Sequence, residues 1–145
     1  MEKAPTPGSV IHYGYLWADE SARGQEEGKK DRPAVVLTIS VKQEGARIEL
    51  LVVAVTHTPP RSPSDAVPLP QDVKRQIGLD EAPSWIVTTE ANAFVWPGPD
   101  IRPIPGRTPS TVIYGRVPIG LLRRVARSYL ENRAKQKSRF VPRSE

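Results

Sequence analysis

Proline decides most of what this 145-residue chain can become. Its 16 prolines bound the apolar runs and crowd into two stretches, 59–70 and 97–109. Proline removes a backbone donor and breaks helix interiors and central strands. That distribution, with 10 glycines added to it, argues against long helices before Pro118. The run after Pro118, IGLLRRVARSYLENRAKQK, holds no further proline. Leu121, Leu122, Val125, Ala126 and Tyr129 recur there at helical spacing, which predicts an amphipathic helix of about four turns opened by Pro118.

The segments between the prolines read as strands. SVIHYGYLW (9–17) alternates β-branched and aromatic residues. PAVVLTISV (33–41) is apolar on both faces in its middle, and RIELLVVAVTH (47–57) follows after a turn signal at 44–46. These two runs predict an antiparallel hairpin. AVPL (66–69) adds a short strand, SWIVTTEANAFVW (84–96) a long one and STVIYGRV (110–117) a last one. Residues 70–78 carry Pro at the start and Gly at the end, which suits a turn or two of helix. Residues 18–31 are almost devoid of apolar side chains and read as a long exposed loop.

Five or six strands and one terminal helix predict a mainly β protein, a small half-open barrel of SH3-like or OB-like kind with a C-terminal α-helix. The expected organisation is a flexible arm at 1–8, a single barrel domain with its helix at 9–132, and a basic tail at 133–145. An apolar content of 38% suffices for one modest core. The N-terminal stretch has no signal-like run and no segment reaches the roughly 18 apolar residues of a membrane span, so a cytoplasmic protein without a membrane partner is expected.

The charge of +5 is uneven. Residues 118–145 carry a net +6 and residues 1–117 a net −1, so the barrel itself is nearly neutral. With no Cys and only two His, a disulfide framework, a thiolate zinc site and a cysteine nucleophile are excluded. The acids do not fall in metal-ligand spacing, and the β segments offer only Glu49 and Glu90. Neither a metal nor an organic cofactor is expected.

Arg32 stands where the polar loop meets a buried strand, with Pro33 beside it. Its planar guanidinium suits a phosphate and stays charged at any working pH. Thr56, His57 and Thr58 close the following strand just before a proline break. If the two strands pair around 44–46, Arg32 and Thr56 meet at the same end of the hairpin. A cation, a hydroxyl and an imidazole brought together from distant segments match a phosphate-handling site. Successive strand residues point to opposite faces, so Thr56 and His57 are not both expected in one pocket. His12, inside the first strand, is not expected to act.

The run GSVI (8–11), the loop ending GKKDRPAVVL (28–37) and VAVT (53–56) resemble the MazF/PemK family of toxin endoribonucleases, which share an SH3-like barrel with the gyrase poison CcdB. The similarity covers residues 8–57 and continues more weakly to the terminal helix. It implies metal-independent cleavage of single-stranded RNA by attack of the ribose 2′-OH on the adjacent phosphate, leaving a 2′,3′-cyclic phosphate and a 5′-hydroxyl. By the same resemblance Arg32 and Thr56 are the catalytic pair, with Glu27 or His57 as acceptor of the 2′-OH proton. Lys29, Lys30 and Thr58 stand as candidate RNA contacts. The chain departs from the family in the 58–70 stretch, the insert PGPDIRPIPGRTPS (97–110) and the basic tail. In and beside that insert Arg102 and Arg107 are candidate phosphate contacts, and Trp96 a candidate base-stacking platform. The implied partners are the RNA, a cognate antitoxin and a second copy in a homodimer. Two other readings stay open: a CcdB-like gyrase poison that cuts nothing, and a non-catalytic, nucleic-acid-binding or regulatory member.

Overall fold

β-Branched and aliphatic side chains crowd both sides of residues 43–46, and both runs are strands. The computed structural model of the protein describes residues 3–18, 31–42, 47–135 and 139–142. In chain order the first strands are β1 (Ser9–Gly14), β2 (Asp31–Lys42) and β3 (Arg47–Thr56). β2 and β3 pair antiparallel from Ala34↔Ala54 to Lys42↔Arg47, with a register shift between Val36 and Thr38. β1 lies against the other edge of β2, with Tyr13 opposite Arg32.

Alternation sends Val35 and Val53 to one face of the hairpin and Ala34, Val36, Val52 and Ala54 to the other. Both faces are buried. The single core expected from composition is therefore two main clusters separated by the sheet, with a small third one at Leu16, Ala18 and Val141. One face packs against the helices α1 (Gln71–Ile77) and α2 (Ile119–Ala134) through Val73, Ile77, Leu121 and Val125. The other closes over Ile11, Tyr13, Leu50, Phe94 and Trp96, with Tyr13 stacked on Phe94 at 4.7 Å between ring centroids. Full burial of one such aliphatic side chain contributes about 2 kcal/mol.

The remaining strands are β4 (Ala66–Leu69), β5 (Ser84–Val87), β6 (Glu90–Trp96), β7 (Ile113–Arg116) and β8 (Arg139–Pro142). Among the described residues eight strands form one sheet, in the path β4-β5-β3-β2-β1-β7 with β6 and β8 branching from β3. The protein is mainly β, a curled half-barrel with a C-terminal helix, as the sequence predicts. No helix among the described residues is long and apolar enough to cross a membrane.

Four local details depart from expectation. The run 84–96 is two strands, because Thr88 leaves the ladder. Its N–H and hydroxyl bond the carbonyl of Asp65, and the Asn132 amide on α2 donates to its carbonyl at 3.1 Å. The last β segment is shorter, 113–116 rather than 110–117. Within the basic tail, β8 pairs in parallel with β6, from Glu90↔Arg139 to Ala93↔Pro142. The arm at 1–8 is anchored where it is described: Gly8 donates to Val36 O at 2.8 Å and accepts from Val117 N at 2.9 Å.

Short helix α1 is set by its ends, as the Pro and Gly signals predict. Pro70 precedes it, and Gly78 closes it in the left-handed region at φ 76°. α1 then sits close against β7. A Cβ at Gly115 would stand 2.7 Å from the Ile77 side chain, so only glycine admits this approach.

Candidate active site

Arg32 is the second residue of β2 and Thr56 the last of β3. The β2–β3 ladder ends at Ala34↔Ala54, and two residues beyond it on each strand Arg32 and Thr56 lie at the same end of the hairpin, lining the same grooves. On its far side Thr56 pairs with Trp85 of β5. The guanidinium of Arg32 lies 4.9 Å from the centroid of the Trp17 ring, a cation–π arrangement that fixes its plane. Thr56 Oγ1 accepts the backbone N–H of Thr58 at 3.1 Å, which shapes the turn leading to Pro59.

Arg32 and Thr56 line two grooves at once. One, of about 320 Å³, is continued by His57, Lys74, Asp80 and Tyr114. The other, of about 390 Å³, is continued by Trp17, Thr58, Arg61 and Thr89. The pair is thus a saddle between two open depressions, a shape that takes an extended chain across it. A larger cavity of about 620 Å³ lies between α2 and β4, against Trp85, Arg124 and Arg127. It holds none of the candidate catalytic residues.

His57 shares the first groove with Thr56, contrary to the expectation from strand alternation. The physical reason is that β3 ends at Thr56. His57 falls in the bend before the prolines, where period two no longer applies. Its Nε2 stands 2.9 and 3.1 Å from the two oxygens of Asp80.

Asp80 follows α1 and also accepts from Lys74 Nζ at 2.8 Å. Lys74 is only 1% exposed, and its ammonium donates further to Ser84 Oγ at 2.7 Å and to the carbonyl of Ala82. Three acceptors match the three N–H bonds of an ammonium, as a buried charge requires. The Lys74 hydrogen bond holds the Asp80 carboxyl below its usual range against the opposing effect of burial, and the His57 hydrogen bond adds a lesser lowering. Tyr114, across the groove, is pushed up chiefly by burial and is a neutral donor at physiological pH.

Other candidates land elsewhere. Glu27, Lys29 and Lys30 lie outside the described residues. Thr58 joins the second groove. Trp96, 8% exposed, packs in the core with Phe94 and Tyr13, so it offers no face to a base. Trp17, against Arg32 and the edge of Tyr15, lines the second groove.

The two arginines of the insert are used for folding. Arg107 donates to the carbonyls of Tyr114 at 3.1 Å and Ile77 at 2.8 Å, and stands 5.3 Å from the Tyr114 ring centroid. Arg102 donates to the carbonyl of Pro99 within its own loop. His12 Nδ1 faces two carbonyls, Arg102 O at 3.1 Å and Pro103 O at 3.0 Å, which makes it a donor and a structural residue.

Sequence reasoning missed Lys74, Asp80 and Ser84. A signal did exist for the first: Lys74 sits between Val73 and Ile77 on the buried stripe of α1. A lysine there needs paired acceptors, and the following loop supplies them. No three His, Cys, Asp or Glu side chains among the described residues group closely enough to hold a metal ion. Compared with known proteins, the chain matches no family model and no curated protein.

Proposed function

We propose that the protein is a metal-independent endoribonuclease that cleaves single-stranded RNA, the toxin component of a toxin–antitoxin pair. The observation that carries this reading is the meeting of Arg32 and Thr56, from separate strands, on the saddle between two grooves. A phosphodiester laid on that saddle puts its non-bridging oxygens against a guanidinium and a hydroxyl. Both bind a phosphorane more tightly than the ground-state phosphate, because more charge sits on its equatorial oxygens. The flanking nucleotides run into the two grooves, where Trp17 offers an aromatic face.

Attack by the 2′-OH produces a 2′,3′-cyclic phosphate and a 5′-hydroxyl, and needs a proton acceptor. Arg32 cannot serve, since a guanidinium keeps its proton above pH 12. The near-neutral barrel means that recognition rests on these placed groups rather than on a broad positive field. A cognate antitoxin with an acidic segment would cover the same grooves, and the basic face of α2 (Arg123, Arg124, Arg127) is a second place for it to hold. A homodimer and a cytoplasmic site of action belong to the same reading.

The test is purified protein incubated with a long single-stranded RNA in EDTA. Fragments ending in cyclic phosphate, formed far more slowly by Arg32→Ala, are the expected outcome. Intact RNA alongside inhibited DNA gyrase would establish the CcdB-like reading instead, and intact RNA that is merely bound would establish a non-catalytic member.

A further inference from the structure

The groove beside Arg32 and Thr56 contains a hydrogen-bonded chain that runs from solvent into the protein: His57, Asp80, Lys74, Ser84. An exposed His–Asp pair contributes little by itself, because both side chains are free to leave. Here the carboxylate is not free. Lys74, whose ammonium is buried, grips Asp80 Oδ1 at 2.8 Å, and its other two donors are taken by Ala82 O and Ser84 Oγ. Ser84 in turn donates to Ala82 O at 3.1 Å, so the four groups form a closed set of donors and acceptors. Lys74 therefore has no donor left for a substrate. What it does is fix Asp80.

Asp80 in turn decides the state of His57. Both carboxylate oxygens face Nε2, so the neutral ring carries its proton there and turns the Nδ1 lone pair outward. The ring is half exposed and opens onto the groove lined by Arg32 and Thr56. The charged and titratable groups facing it are Arg32 and Asp31 from β2, Lys74 and Asp80 from the α1 segment, and Tyr114 from β7.

We propose that His57, through Nδ1, is the group that accepts the 2′-OH proton, and that Asp80, anchored by buried Lys74, is the positioning residue that holds its ring for the task. This rests on the endoribonuclease reading and specifies its proton acceptor. As the 2′-O–H proton moves to Nδ1, its electron pair forms the O2′–P bond. The P–O5′ bond breaks and the departing oxygen takes a proton from solvent. The imidazolium, stabilised by Asp80, then returns its proton to solvent, so nothing is consumed but the phosphodiester link.

Two measurements on the full chain test this. The first is kcat and KM against pH on a defined single-stranded RNA. Wild type is expected to show a rising limb of slope one on the acidic side. His57→Gln is expected to lose that limb and roughly 100-fold or more in kcat. Asp80→Asn is expected to lower kcat by about tenfold or more with KM unchanged, and to move the limb to lower pH, while Asp80→Glu recovers part of the loss. The second reads the His57 tautomer by nitrogen NMR without RNA: Nε2–H in wild type, a mixture in Asp80→Asn. Wild-type kcat and an intact limb in His57→Gln, where Arg32→Ala cleaves far more slowly, would overturn the proposal and leave the endoribonuclease reading standing. No cleavage by wild type would overturn both. An unchanged tautomer in Asp80→Asn would overturn the positioning role alone.

Discussion

Arg32 and Arg107 each belong to a proline-bearing segment and each lie against an aromatic ring, Trp17 for the one and Tyr114 for the other. Their surroundings differ in what lies beside them. Arg107 finds two backbone carbonyls, at the end of α1 and on β7, and packs so tightly over Gly78 that a Cβ there would stand 2.6 Å from its Nη2. It staples the insert to the body of the protein. Arg32 instead stands at the rim of two grooves, beside a hydroxyl and an imidazole. An arginine whose donors end on carbonyls is part of the fold. Arg32, by contrast, lines two grooves next to other polar side chains.

Substitution is the direct way to break this contrast. Arg32→Ala is expected to lower RNA cleavage by 10²–10³, about 3 kcal/mol of transition-state stabilisation, while the urea midpoint stays near wild type. Gel analysis of a labelled RNA and a denaturation curve read the two quantities. A normal cleavage rate in this variant would remove the main distinction between the two arginines. Next in size is Lys74→Ala, which deletes a buried side chain and removes the ammonium shared by Asp80, Ala82 O and Ser84 Oγ. A loss on the order of 3 kcal/mol in stability is expected by urea titration.

Arg107→Ala should cost about 1–2 kcal/mol of stability through its two carbonyl bonds, with the cleavage rate of the folded fraction unchanged. Loss of cleavage at full stability would place the insert in the RNA path after all. The smallest effect concerns acid. Asp80 has a lowered pKa in the folded protein, so its contribution is complete above the ordinary carboxyl value near 3.8 and disappears as pH falls through the lower folded value. Wild type should therefore lose stability more steeply than Asp80→Asn below about pH 4. Parallel curves for the two proteins would show that Lys74 and His57 do not hold the carboxylate in solution.

The hairpin and its terminal pair were legible in the sequence, because aliphatic runs on both sides of a short turn fix a register by counting. That count brings Arg32 and Thr56 to the same end of the hairpin. The split of 84–96 was not legible. Thr88 leaves its strand for Asp65, Ser128 and Asn132, partners 23 to 44 residues away. β8 was hidden for a similar reason: a parallel partner has no turn to announce it. The terminal helix was read from its spacing, whereas the buried Lys74 on α1 became interpretable only once Asp80 and Ser84 were placed. His57 and Trp96 were misjudged in opposite directions. Strand alternation was carried one residue past the end of β3, and adjacency to the proline insert was mistaken for exposure.

β3 changes neighbours along one edge. Ile48–Val52 lie against β6, while Val55 and Thr56 lie against β5. The Thr56 end of the strand thus belongs to the smaller ladder, with β4 and β5, and α1 with its loop closes the same groove. Local opening of that unit, with β2, β3 and β6 still paired, is expected at a free energy below that of global unfolding, and amide exchange at Ile86 and Val67 measures it. The site and this flap then share one opening equilibrium. Any molecule that bridges Arg32 on the hairpin to His57 and Asp80 acts as a latch. It would slow amide exchange at Ile86 and Val67, residues that it never touches.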